Sequence, residues 1–179
     1  MRSLLTIGLL LTVLLLHAQQ DWMTRNGMAK IYSHTPLEEI KAENRQLLVQ
    51  LSLEKGTIKA ALLLKGFLFE KALMQEHFNE NYVESDRYPK SGFEGNFEAF
   101  DPAGATGSRS VTVKGKLTLH GVTRDITVPA TITVTGNVIE GKSEFHLKPE
   151  DFNIKIPGLV RDKIASDITV TISFVCKQP

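Results

Sequence analysis

The strongest pattern in the chain is an alternation of apolar and polar residues between positions 114 and 134. Leu117 and Leu119 share an apolar face before Gly121, and from Ile126 onward every second residue is apolar. A period of two is typical of strands that have one buried and one solvated face. Glycine at the junction tolerates the positive φ angle of a tight reversal. The stretch therefore predicts a β-hairpin.

Similar alternation predicts further strands along most of the chain. Residues 46–53 and 57–69 alternate on either side of a short turn that contains Gly56, which predicts a second hairpin. Further strands are predicted at residues 29–34, 93–97, 138–147 and 167–176. Two polar stretches are predicted to lie outside the strands: residues 21–27 as a lead-in, and residues 44–45 as a turn.

The middle of the chain changes its period. Within residues 71–83, Met74, Phe78 and Tyr82 recur at a spacing of four, as they would along one face of a helix. Pro89 follows, and proline disfavours helical backbone in the residue before it. The pattern predicts one helix that ends before this proline.

These elements indicate an all-β fold. Many short strands, closely spaced turns and one helix favour an antiparallel β-barrel of about eight strands over a sandwich. A closed barrel also pairs the strand edges that would otherwise be exposed. The glycine-containing stretch 101–110 lacks the Gly-Lys-Ser/Thr of a phosphate-binding loop, so we interpret it as a hairpin connection. No linker or internal repeat is visible, and residues 19–179 are expected to form a single domain.

The first 18 residues have the pattern of a secretory signal. Arg2 provides a positive start, residues 4–16 are almost all apolar, and Ala18 places a small residue at the expected cleavage site. The apolar run is too short to span a bilayer comfortably. We therefore expect a periplasmic or secreted protein with no stable membrane insertion after cleavage.

Charge and cysteine content narrow the possible partners. Loss of Arg2 with the signal leaves equal numbers of basic and acidic residues, so the remaining chain offers no bulk positive field to a nucleic acid. Cys176 is the single cysteine, so no internal disulfide can form. It lies in an alternating apolar run and is predicted to be a buried small hydrophobic residue.

Enzyme and metal chemistry find little support in the sequence. His34, His77, His120 and His146 are isolated, with no i,i+4 pair and no neighbouring cysteine, although they could converge in the fold. No Gly-x-Ser-x-Gly segment or other nucleophile motif is present. We expect no catalytic residues, no metal and no cofactor.

Four motifs, in the same order, resemble the YceI-like family. Residues 117–124, LTLHGVTR, are similar to that family's signature, and residues 151–154, DFNI, resemble its DFGI segment. His77-Phe78 followed by Tyr88-Pro89 and Phe93 is similar to its helix, Tyr-Pro and aromatic, and residues 167–174 to its last strand. The opening strand departs from the family pattern, since Asp-x-x-His-Ser appears only as residues 31–34, IYSH.

The resemblance implies a secreted or periplasmic, lipocalin-like antiparallel barrel that binds a polyisoprenoid or a similar long amphiphile inside. It implies no catalytic activity. The expected apolar lining consists of Leu51, Leu62, Leu64, Phe67, Phe69, Met74, Phe78, Phe97, Leu117, Leu119, Val128, Ile132 and Phe145. The alternative is that these side chains fill the interior, because an eight-stranded barrel is just wide enough for that.

Three cationic or titratable residues are candidates for contact with a lipid head-group. His77 adjoins the helical stripe, which could form a lid over the cavity or simply plug one end of the barrel. His120 and Arg124 flank the predicted hairpin turn, where a cation could meet a phosphate. The alternatives are a structural histidine at position 77 and turn chemistry at positions 120 and 124.

The sequence thus favours an exported, non-enzymatic protein that carries or sequesters a long apolar lipid. The second hypothesis is an exported barrel with a filled core that acts through protein–protein contacts, in envelope stress or adhesion. A continuous interior cavity distinguishes the first hypothesis from the second.

Overall fold

The computed structural model describes residues 21–101 and 106–177, so the predicted signal at residues 1–18 lies outside the described part. One α-helix, α1 (Ala72–His77), continues as a π-helical turn at Phe78–Tyr82. Short 3₁₀ turns occupy Leu64–Gly66, Pro149–Phe152 and Gly158–Lys163. The strands are β1 (Trp22–His34), β2 (Glu39–Ser52), β3 (Thr57–Leu63), β4 (Leu68–Phe69), β5 (Lys90–Asn96), β6 (Gly107–Leu119), β7 (Val122–Thr135), β8 (Val138–Leu147) and β9 (Ile168–Lys177).

The strands form a closed antiparallel barrel. The hydrogen-bonded order is β1-β9-β8-β7-β6-β5-β3-β2, and β2 pairs again with β1, which closes a ring of eight strands. The two-residue β4 adds to the beginning of β2 at Ala42 and Glu43. The predicted barrel of about eight strands with one helix is therefore confirmed.

Both predicted hairpins are present. β6 and β7 pair from Gly107 to Leu119, and the loop between them is His120-Gly121. Both loop residues have positive φ, 51° and 72°, as a two-residue turn of type I′ requires. In the second hairpin, β2 and β3 close at Ser52 and Thr57, with Gly56 at φ 61°.

The prediction of two polar stretches outside the strands is wrong. Residues 21–27 mostly belong to β1, whose first residue, Trp22, is buried and lies opposite Leu51 on β2. β2 also continues through the predicted turn at residues 44–45. Asn44 is buried there because its side chain is fully engaged: Nδ2 donates to the Leu63 carbonyl at 2.8 Å, and Oδ1 accepts from the Gln46 amide at 2.8 Å.

Two boundaries in the middle of the chain also differ from the prediction. β3 ends at Leu63 instead of continuing to position 69, because the chain turns at Leu64–Gly66 before the short β4. The predicted helix over residues 71–83 is α-helical only to His77, and no residue of α1 or the π-helical turn is fully buried. This element therefore covers the barrel and is not part of its core.

The interior differs between the two ends of the barrel. At the end formed by the turns at residues 53–56 and 136–137, buried side chains pack into what we call the plug: Trp22, Leu51, Leu53, Val134, Ile139 and Cys176. Burial raises the pKa of the Cys176 thiol to about 11, so this side chain is a neutral apolar group at neutral pH. We call the opposite end, where α1 lies, the helix end.

Glycine at the hairpin turns provides a first prediction about this fold. Gly121 and Gly136 both have positive φ, but a Cβ at Gly121 would lie 2.6 Å from the Tyr88 ring, whereas one at Gly136 would contact nothing within 4 Å. Gly136→Ala should lower the free energy of unfolding by about 1–2 kcal/mol, the backbone cost alone. Gly121→Ala should cost about 1–3 kcal/mol more, because Tyr88 must move. Urea denaturation of both variants measures the difference, and equal losses would contradict the packing of Tyr88 against this turn.

Candidate functional site

The helix end of the barrel is hollow. A cavity of about 550 Å³ lies inside it, and all eight barrel strands contribute to its wall. The cavity also contacts α1, the π-helical turn and the segment after β8. The interior is therefore divided into a solid plug and a hollow half, which differs from a barrel filled throughout by its own side chains.

The structure places twelve of the thirteen predicted lining residues around this cavity. The structure places these predicted residues in the wall: Leu62, Leu64, Phe67, Phe69, Met74, Phe78, Phe97, Leu117, Leu119, Val128, Ile132 and Phe145. Leu51 is the exception, since it belongs to the plug beneath the cavity and is 1% exposed. Alternation along a strand shows which face is inward, but not whether an inward residue meets a void or another side chain. Contact of the wall residues with a ligand stays a prediction.

Small residues explain why the cavity is not filled. Ala29, Ala60 and Ala130 are half-buried or buried wall residues on β1, β3 and β7, where larger side chains would occupy the space. The void is therefore built by side chains that stop short of the barrel axis.

Two aromatic rings lie along the wall over glycines. The Phe174 ring on β9 covers Gly141 on β8, so closely that a Cβ there would lie 2.1 Å from it. Phe93 on β5 covers Gly115 on β6 in the same way, with a distance of 2.7 Å. A glycine within a strand leaves room for such a ring against the backbone. A glycine in the middle of a strand is the sequence signal for this arrangement, and hydrophobic periodicity does not detect it.

The wall suits a hydrocarbon. Most of its residues are aliphatic or aromatic, and none of the charged residues among them is buried. An apolar cavity of about 150 Å³ accommodates benzene, so a volume of 550 Å³ corresponds to roughly 20 carbon atoms. Such a site can bind a long apolar chain but offers little to a sugar or a free anion.

Most of the charged groups at the cavity lie toward the helix end. Lys71 and Glu38 pair there, with Nζ 2.9 Å from Oε1, and His77 lies nearby in the wall. Lys148 and Lys163 also contact the cavity, and no ion pair holds either of them within the described residues. Neither lysine was predicted from the sequence, because both lie in irregular segments, where periodicity does not indicate which side chains face the site.

The structure does not bring His120 and Arg124 to the cavity. His120 Nδ1 donates to the Phe152 carbonyl at 2.9 Å, and its ring packs edge-on against Tyr88 with a centroid distance of 4.6 Å. Arg124 Nε donates to the Asp151 carbonyl at 2.8 Å. Both side chains join the hairpin turn to the 3₁₀ turn at Pro149–Phe152. The turn-chemistry alternative accounts for them, whereas His77 does reach the cavity wall.

A proline explains how the segment after β8 enters the wall. The β7–β8 ladder ends at Ala130 and Ser143, although both strands continue toward the helix end. Pro129 comes next on β7 and has no N–H to donate, so its carbonyl accepts from the Ser143 hydroxyl at 2.6 Å instead. Beyond this point, Phe152 and Ile154 line the cavity.

Across residues 21–101 and 106–177, no group of three His, Cys, Asp or Glu side chains could hold a metal ion. In the same ranges, no helix has the length and hydropathy needed to cross a membrane.

A closed antiparallel barrel with an apolar interior defines the protein as a lipocalin-like barrel. The profile of the YceI-like domain matches residues 30–176. The chain belongs to the YceI-like family.

Similar proteins support this assignment. A UPF0312 protein of Pseudomonas syringae pv. tomato (strain ATCC BAA-871 / DC3000) is 28% identical over 125 residues, which are 65% of this chain and 62% of the relative, less than two thirds of its length. A polyisoprenoid binding domain from Saccharophagus degradans, implicated in plant cell wall breakdown, has a TM-score of 0.76 at 15% identity, over 90% of this chain and 99% of that domain. BcnA of Burkholderia cenocepacia has a TM-score of 0.71 at 17% identity, over 83% and 95% of the two chains. At these identities the solved structures show the shared fold.

The His120 contacts generate a second prediction. His120→Asn keeps a residue type that tolerates positive φ but removes the imidazole that reaches the Phe152 carbonyl. The free energy of unfolding should fall by about 1–3 kcal/mol, because a buried acceptor loses its donor. Lipid content per protein, measured by extraction and mass spectrometry, should not change. Unchanged stability together with lost lipid would instead assign His120 to the ligand.

Proposed function

We propose that this protein is an exported, non-enzymatic binding protein that carries or sequesters a long apolar lipid of the polyisoprenoid class inside its barrel. The observation that carries the proposal is the 550 Å³ cavity with its continuous apolar wall. Membership of the YceI-like family supports it, as does the likeness to a domain described as polyisoprenoid binding.

The size of the cavity favours occupancy. At about 24 cal/mol per Å³, an empty void of 550 Å³ would cost on the order of 13 kcal/mol. That is comparable with the whole stability of an ordinary domain, about 5–15 kcal/mol. A chain of roughly 20 carbons gains about 0.8 kcal/mol per buried CH₂, before the cost of ordering it is subtracted. An apolar ligand therefore offsets the cost of the void without needing many polar contacts.

The helix end provides the route into the cavity. The plug closes the other end with side chains that are almost fully buried. At the helix end, Phe78 packs against Phe67 and Phe69 with centroid distances of 5.6 and 5.0 Å, but it stays half-exposed. An element with no fully buried residue opens at lower cost than the barrel strands do. We assign α1 and the π-helical turn the role of a lid.

Export is the part of the proposal that rests on residues 1–18. Their positive start, apolar run and small residue at position 18 are the features of a cleaved secretory signal. Periplasmic or secreted localisation follows from that reading. N-terminal sequencing of the mature protein tests it: the expected first residue lies close after Ala18, and retention of Met1 would contradict it.

Lipid extraction is the direct test of the function. Protein purified without detergent should release a long apolar lipid into organic solvent in nearly stoichiometric amount, because occupancy relieves the cost of the void. Mass spectrometry of the extract identifies it. A denatured aliquot of the same preparation, dialysed and refolded before extraction, controls for surface lipid. Absence of any lipid from freshly purified, gently handled protein would refute the carrier role.

A cavity-filling variant tests where the lipid lies. Ala60→Phe with Ala130→Phe places two rings in the cavity, about 300 Å³ at roughly 150 Å³ for each benzene-sized group, and so removes about half of the void. Lipid content should fall severalfold, or shift to shorter chains, while the free energy of unfolding changes little or rises. Thr127→Phe, on the exposed face of β7, is the matched control and should keep the wild-type lipid content. Equal lipid in all variants would place the ligand outside the barrel.

A further inference from the structure

Exposed leucines are concentrated at the helix end of the barrel. Of the large hydrophobic residues that stand exposed in the described ranges, two lie toward the plug, Met23 and Val175. The others belong to the helix end: Leu37, Leu63, Leu68, Leu73 and Leu159. Single exposed leucines are ordinary on protein surfaces, but five at the one end of a barrel that holds an apolar cavity indicate a contact surface.

Leu159 is the most exposed of these residues. It lies in the 3₁₀ turn Gly158–Lys163 and is 97% exposed, while the next residue, Val160, contacts the cavity. The same segment is anchored to the barrel, because the Ala165 amide donates to Ser33 Oγ at 2.8 Å near the end of β1. The barrel therefore presents Leu159 outward, beside a residue that contacts the cavity.

The charges around Leu159 are mainly positive. Lys155, Arg161 and Lys163 lie within four residues of it, against one acid, Asp162. None of these four side chains forms an ion pair within the described part of the chain. An apolar side chain between unpaired cations is the pattern that binds the surface of an anionic bilayer, where the leucine enters the interface and the cations meet phosphates.

The exposed acids at the helix end indicate which part of it can approach an anionic bilayer. α1 and the π-helical turn carry the acids Glu76 and Glu80 in exposed positions, which an anionic surface repels. The Gly158–Lys163 turn is therefore the part of the helix end that an anionic bilayer attracts.

We infer that the turn Gly158–Lys163 is a docking surface for anionic membranes, through which the barrel takes up or delivers its lipid. This inference goes beyond the proposed function, because a lipid carrier could equally exchange its ligand with a protein partner. The partner that we propose for this surface is the bilayer itself.

A fluorescent probe at position 159 tests the inference. Cys176 is the single native cysteine and is fully buried, so Leu159→Cys can be labelled selectively with an environment-sensitive dye. Vesicles of phosphatidylcholine with roughly one third phosphatidylglycerol should shift its emission to the blue, and NaCl at about 0.5 M should reverse most of the shift by screening. Met23→Cys, labelled likewise near the plug, is the matched control and should not respond. No response at position 159, or an equal response at both positions, would overturn the inference.

Substitutions measure the contribution of each group by co-sedimentation with the same vesicles. Leu159→Asp should lower the partition coefficient at least about tenfold, because the residue that enters the interface becomes charged. Arg161→Gln and Lys163→Gln should each lower it about fivefold. Met23→Asp should leave it unchanged, and binding that Leu159→Asp does not weaken would contradict the inference.

Lipid content, measured on the same preparations, separates this inference from the proposed function. Protein that carries lipid but binds no vesicle would refute membrane docking and leave the carrier role intact, with a protein partner as the remaining occupant of the surface. Protein that binds vesicles in the predicted way but carries no lipid would refute the carrier role and support the docking surface.

Discussion

The structure depends on the closure of the β-sheet, in which β1 pairs with β2 on one side and β9 on the other. Closure satisfies the backbone hydrogen bonds of the wall within the ring of strands, so the wall does not need a filled interior to remain intact. The interior is then available for two separate uses. Near Trp22 it forms a dense apolar plug, and toward α1 it encloses a void. A sandwich of two sheets could not make this division, because its sheets hold together only through the side chains between them.

The division separates stability from binding. Side chains such as Leu51 and Ile139 in the plug are almost fully buried, and they supply the tight packing that a hollow half cannot. The wall around the void uses alanine where a stable core would use larger residues, which sacrifices packing in return for space. A ligand restores the missing contacts. Under the proposed function, occupancy and stability are therefore linked in this barrel, and the complex is its fully stable form.

Strand periodicity predicted much of this arrangement, and its failures have physical reasons. The hairpin at His120-Gly121 and the inward faces of β2, β6 and β7 follow from a period of two, which any strand with one buried face must show. The pattern failed at Asn44, because a buried amide with its hydrogen bonds satisfied looks polar in sequence yet continues a strand. It also could not distinguish Leu51 in the plug from Leu62 in the wall, since depth along a barrel is not encoded in alternation.

The residues that determine access lie where periodicity is least informative. An opening requires that the backbone leave the ladder, and Pro129 brings this about by ending the pairing of β7 with β8. The chain that lines the opening is consequently irregular, and it carries Lys148, Lys163 and Leu159 on 3₁₀ turns and loops. The YceI-like motif at residues 117–124 marks a different feature, because His120 and Arg124 hold carbonyls of that irregular chain in place. The most recognisable residues of the sequence thus hold the irregular segment in place, and the side chains proposed to meet a ligand or a bilayer are the less recognisable ones beside it.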